Sequence, residues 1–177
     1  MKNIKEIIKQ ADNKVTGIAA APGIVTGKAY LFTKEKLEIS AEMISDVEEA
    51  KNNFLEALAK SKKELNKILA IARERMEEKR ALIFEAQVMI LDDTILIDTI
   101  LKRIENEKKN PEFIVNDEIT RYQQIMMDSG ESYMKERAHD IEDIKNRIVR
   151  NLQKKRWQSK ITNDVIVVTE SLTHADT

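Results

Sequence analysis

The chain has 177 residues, 42% hydrophobic and 34% charged, enough for one large domain or two small ones around a buried core. Its 30 basic and 31 acidic residues give a net charge of -1, which argues against a nucleic-acid or anionic-membrane partner. Cysteine is absent and histidine occurs twice, which excludes disulfides, thiolate metal sites and an all-protein zinc site of the usual kind.

The first residues, Met1-Lys2-Asn3-Ile4-Lys5-Glu6-Ile7-Ile8, interrupt any apolar run with charge and do not form a signal peptide. Ile4, Ile7 and Ile8 fit a short amphipathic helix. No run of about 18 apolar residues is present, so nothing is expected to span a membrane and a cytoplasmic location is expected. Three of the four glycines, Gly17, Gly23 and Gly27, crowd with Pro22 into strand-and-turn material that runs to Phe32. Pro22-Gly23 marks a tight turn in which glycine is free to take positive φ. Ile24-Val25 and Ala29-Tyr30-Leu31-Phe32 look like short strand pieces on either side of Gly27.

From about residue 41 to about residue 155 the pattern is helical almost throughout. Val47, Phe54, Leu58, Leu65, Ile68 and Ala72 recur at steps of three, four or seven and trace one long amphipathic helix. A second helix covers about residues 78 to 92. It is apolar on more sides than one buried stripe needs: Ile83, Ala86, Ile90 and Phe84, Val88, Leu91 trace two neighbouring faces, and Met89 widens them. Such a helix is either buried on most sides or offers a face to a partner. Asp93 supplies a cap for a third helix lined by Ile97, Ile100, Leu101 and Ile104. Asn110-Pro111 suits a cap followed by proline in the first turn of a fourth, with Ile114, Tyr122, Ile125 and Met126 on one side. Gly130 ends that helix, and Met134, Ala138, Ile141, Ile144, Ile148 and Leu152 carry the last. Its Lys154-Lys155-Arg156 end reads as cations at a helix C-terminus.

After Trp157 the pattern changes. Asn163-Asp164 signals a turn, and Val165-Ile166-Val167-Val168 reads as a strand buried on both faces. The expected fold is mostly α: a helical bundle over residues 34–157, inserted into an incomplete α/β domain built from 1–33 and 158–177, with a few short strands from both chain ends. Such a meagre sheet leaves an apolar edge, so self-association through the α/β part, or disorder near the C-terminus, is expected.

Three separated blocks then resemble a known family. They are Gly17-Ile18-Ala19-Ala20-Ala21-Pro22-Gly23-Ile24-Val25-Thr26-Gly27, the run Ile83-Phe84-Glu85-Ala86-Gln87-Val88-Met89-Ile90-Leu91-Asp92-Asp93, and Tyr133-Met134-Lys135-Glu136-Arg137-Ala138-His139-Asp140-Ile141. Together with a weaker block from Asp164 to Thr173, they resemble Enzyme I of the bacterial sugar phosphotransferase system, the phosphoenolpyruvate–protein phosphotransferase, in order and spacing. The resemblance implies a role in sugar uptake, passing a phosphoryl group from phosphoenolpyruvate through a histidine to the small carrier HPr. The helical bundle would be of the HPr-docking type. The phosphorylated histidine of the family lies beyond the segment similar to Ser171-Leu172-Thr173, and phosphoenolpyruvate and Mg²⁺ belong to a separate barrel domain. The chain is therefore expected to dock HPr, to hold no cofactor, and to be inactive as an enzyme alone. His139 lies mid-helix without a free backbone N–H, and His174 has no basic or glycine neighbour, so neither is expected to accept phosphate.

Residue by residue, the HPr-contacting positions implied by the resemblance are Glu78, Lys79, Ile83, Gln87, Met89, Ile90, Met126, Met134 and Arg137. HPr-like carriers carry an apolar patch within a basic rim, and an apolar face with acids around it is the complement. Without the resemblance, methionines at helical spacing are more often core, and Arg137 is a solvated charge. Gln87 stands in place of the family's histidine, Lys79 where some relatives carry a carboxylate, and Lys145 in place of a small residue. The alternative is a helical interaction module on the same scaffold with a different partner.

Overall fold

A computed structural model describes residues 17–33, 37–75, 78–128, 132–155 and 164–169, without the side chains of 75, 78–80 and 132–139. The N-terminal amphipathic segment, Gly130, Trp157 and His174 lie outside the described residues. Two units emerge: Leu37–Trp157, and Met1–Lys36 with Gln158–Thr177.

In the second of these units, strand β1 (Lys28–Leu31) pairs in parallel with β2 (Val165–Val168), Lys28 opposite Val165 and Leu31 opposite Val168. The register is extended by the Phe32 N–H, which donates to the Val168 carbonyl at 2.9 Å. Parallel strands need a crossover between them, and here the whole helical unit is that crossover. Gly23 does take positive φ, at 126°. Ile24 and Val25 form no strand and stand exposed, which corrects their expected role. All four residues of β2 are half-buried rather than buried on both faces.

The helical unit contains α1 (Val47–Arg75), α2 (Glu78–Leu91), α3 (Thr94–Glu107), α4 (Pro111–Asp128) and α5 (Ser132–Leu152). Residues 37–46 are extended instead of helical from about 41. The Glu42 carbonyl accepts from Asn110 N–H at 2.9 Å and the Ile44 N–H donates to Lys108 at 2.8 Å, so this segment is spent on an antiparallel bridge between Met43 and Lys109. The helix begins only where Asp46 accepts from the Glu49 N–H at 2.9 Å.

Along α1, Ala50, Phe54, Ala57, Ser61, Leu65, Leu69 and Ala72 are buried at steps of three and four. Ala50, Phe54, Leu65, Leu69 and Ala72 of this set join Ile100 and Ile104 of α3, Ile114, Val115 and Ile119 of α4, and Ile141, Ile144, Ile148 and Val149 of α5 in one core. Polar side chains tie the helices at fixed registers. Asn151 Nδ2 donates to Ser61 Oγ at 2.9 Å and to Glu64 at 3.3 Å, and Arg147 donates to Glu64 at 3.2 Å, so α5 runs antiparallel to α1. Arg103 joins α3 to α4 by pairing with Asp117 at 2.7 Å and Glu118 at 2.8 Å, besides Glu107 on its own helix. Lys145 reaches Thr120 at 3.2 Å, so the lysine that departs from the family pattern links α5 to α4.

Of the two links between helices that are described throughout, one is capped as its residues suggest and the other is not. Asp93 accepts from the Ile95 and Leu96 N–H groups at 2.8 and 3.3 Å and starts α3. Pro111 opens α4 as expected, but the side-chain oxygen of Asn110 is buried without a donor, and the turn is closed by its backbone carbonyl instead. Among the described residues no helix is long and apolar enough to cross a membrane.

Candidate docking surface

Helix α2 packs against α1 and α5. Its buried stripe is Ala81, Phe84, Gln87 and Leu91, with Val88 and Ile90 packed partly against the core. That leaves an outer ridge, Leu82-Glu85-Met89-Asp92, at the spacing that places side chains one above another on a helix face. Leu82 is 53% exposed and Met89 73%, so both present apolar surface to solvent. The ridge alternates apolar and acidic. Beyond the Asp93 cap, Ile95 is also open, 77% exposed on the first turn of α3. Leu82, Met89 and Ile95 do not find cover within the unit, because the stripe holding Phe84 and Leu91 already meets the core.

Each carboxylate on the ridge carries a partner from α1. Asp92 pairs with Lys62, and Glu85 with Arg73. Glu85 thus lies level with Arg73 and Asp92 with Lys62, so α2 runs antiparallel to α1. The Arg147–Glu64 register then brings the first turns of α5 to the same end of the bundle as the last turn of α1 and the start of α2.

Of the nine positions expected to meet a partner, Met89 stands fully in the open. Ile83 and Ile90 are half-buried, the second against the core. Gln87 is 3% exposed, so its expected place on an open face is corrected: it faces inward in the stripe of Phe84 and Leu91. Met126 is half-buried against the core, while Tyr122 and Ile125, expected on one side with it and with buried Ile114, face outward. Glu78 and Lys79 begin α2, and Met134 and Arg137 fall in the first turns of α5; their side chains lie outside the described residues. Leu82 and Ile95 belong to the exposed surface but were missing from the sequence-based set. The signal was present at Leu82, which shares the heptad spacing of Met89.

The same architecture recurs in proteins of known family. The family model described as PEP-utilising enzyme, N-terminal, matches residues 16–137. The chain belongs to this family. Among curated relatives, the phosphoenolpyruvate-protein phosphotransferase of Bacillus sp. (strain S) is 33% identical over 168 residues, 94% of this chain and 29% of that protein. The namesake protein of Bacillus subtilis (strain 168) is 34% identical over 93% of this chain and 29% of its own length. That of Staphylococcus aureus is 35% identical over 92% of this chain and 29% of its own length. The chain thus spans less than a third of the length of these relatives. Among solved structures, an NMR solution structure of an Enzyme I protein (nEIt) superposes with a TM-score of 0.78 at 37% identity, covering 92% of this chain and 67% of that one. A structure of the N-terminal domain of Enzyme 1 - Nitrogen shares the fold, with a TM-score of 0.71 at 20% identity over 89% of this chain and 67% of that one.

Proposed function

We propose that this member of the PEP-utilising enzyme N-terminal family is the docking part of a phosphoenolpyruvate–protein phosphotransferase, and that α2 receives the phosphocarrier HPr. The observation that carries this reading is Met89, open to solvent on a ridge where Glu85 and Asp92 stand on either side. An exposed apolar anchor inside a charged rim is the anatomy of a specific, reversible interface. A methionine there adapts to a partner's contour without a fixed rotamer. Glu85 and Asp92 are acceptors that cations of the carrier's basic rim can also engage.

The role of the chain in phosphoryl transfer is then positional. A phosphoacceptor histidine needs donors for the phosphate oxygens, and His139 lies within α5, where backbone N–H groups are committed to the helix. Incubated with phosphoenolpyruvate, Mg²⁺ and HPr, this chain is expected to produce no phospho-HPr; turnover would place a phosphoacceptor within it. Docking is tested by titrating the ¹⁵N-labelled chain with HPr of the same organism. Shifts are expected on α2 and the first turn of α3, centred on Leu82, Met89, Asp92 and Ile95. Silence at millimolar carrier would sink the assignment and give the surface to a different partner.

A further inference from the structure

The two carboxylates beside Met89 are already engaged. Asp92 holds the ammonium of Lys62 and Glu85 holds the guanidinium of Arg73, both cations coming from α1. The Lys62 and Asp92 side chains are 41% and 50% exposed, and those of Arg73 and Glu85 61% and 35%. Pairs this open are screened by water and contribute little to holding two helices together. The α1–α2 contact has other support, since Leu69, Ala72, Ala81, Phe84 and Leu91 belong to the common core. The energetic weight of Lys62 and Arg73 therefore falls on what their partners present to the outside.

An acidic ridge matched by cations of the same chain offers a weaker field than its acids alone. We infer that Lys62 and Arg73 are internal competitors for the docking carboxylates, so that a partner with a basic rim docks by exchange of ion pairs. This inference rests on the docking role proposed above. Cations of the carrier displace Lys62 from Asp92 and Arg73 from Glu85, and apolar contact at Met89 supplies the net drive. Exchange costs little because both internal pairs are solvent-exposed, but it offsets part of the gain that a merely basic protein would obtain from an equally exposed pair. The two α1 cations thereby act as specificity determinants: a partner must bring an apolar patch as well as charge.

Affinity for HPr at low and high ionic strength tests this. Lys62→Gln is expected to tighten binding about 3- to 10-fold at low salt, chiefly through faster association, with the gain shrinking as salt rises. Arg73→Gln is expected to act in the same direction. Adding Asp92→Asn to Lys62→Gln is expected to return the affinity to near the wild-type value, because the gain works through the freed carboxylate. Thermal melts of each variant provide the folding control, and an exposed pair predicts almost unchanged midpoints. Unchanged or weaker binding by Lys62→Gln would overturn the inference, since it would make Lys62 a positioning residue for Asp92. A gain that survives Asp92→Asn would overturn it equally. If wild-type protein binds HPr and the lysine variant is flat, only this inference falls. If wild-type protein does not bind at all, the docking role falls and the inference with it.

Discussion

Met89 and Phe84 lie five positions apart on one helix and are asked to do opposite things. Phe84 is 4% exposed and Met89 73%. Truncating each therefore separates docking from stability. Phe84→Ala is expected to cost about 3–5 kcal/mol of unfolding free energy by leaving a cavity, read from urea denaturation. Met89→Ala is expected to leave the unfolding midpoint in place and to weaken HPr binding by about tenfold, the cost of losing a central apolar anchor. Ser61 makes the complementary point inside the core. It occupies an apolar-spaced position in α1, is fully buried, donates to the Ala57 carbonyl at 2.7 Å and accepts from Asn151. Nothing in the spacing of α1 distinguishes this serine from a solvated one, because its partner lies 90 residues away.

Helices α3 and α4 share the apolar core and are also joined by a partly buried charge cluster. Arg103 pairs with Glu107, Asp117 and Glu118, and Glu118 is buried and also accepts from Arg121 at 2.8 Å. Hydrogen bonding from Arg103 holds the Glu107 carboxyl below the ordinary carboxylate range, against a smaller opposing effect of burial. A carboxyl depressed in the folded state adds stability that is present at neutral pH, above its unfolded value. That stability is lost as the pH falls through the folded value. Urea midpoints are thus expected to fall on acidification. Arg103→Gln is expected to lower the unfolding free energy at neutral pH by about 1–3 kcal/mol and to flatten its fall on acidification. The link between α2 and α3 is controlled by a cap instead. Asp93→Ala, which removes the acceptor for two N–H groups, is expected to cost about 1 kcal/mol. It should also disturb docking, because the cap sets the angle at which Ile95 follows Met89. The aspartate cap was legible from its place before an apolar run. The failure of Asn110 to cap was not, since the bridge between Met43 and Lys109 determines the backbone path there.

Among the described residues, the core of the helical unit draws on residues between Leu37 and Leu152. A chain of residues 37–157 is therefore expected to fold without the strands, to melt in one cooperative transition and to keep its affinity for HPr. Circular dichroism and the same titration check this; a non-cooperative melt would show that the strand unit contributes to the bundle's stability. The two-stranded sheet has no comparable independence. Its strands are four residues long, and two short strands are marginal alone.

Among the described residues, the order and approximate ends of the helices were readable in the chain, because apolar periodicity, Asp93 and Pro111 are local signals that act within a few residues. So was the family, from blocks whose order and spacing a fold preserves. The width of the apolar surface on α2 was readable too, but its division was not. Sequence placed Gln87 and Ile83 with Met89; packing put Gln87 inside, half-covered Ile83, and left Leu82 and Met89 open. The reason is geometric. A helix that is apolar nearly all round does not specify which side turns inward, and that rotation is set by neighbours distant in sequence, the core residues of α1 and α5.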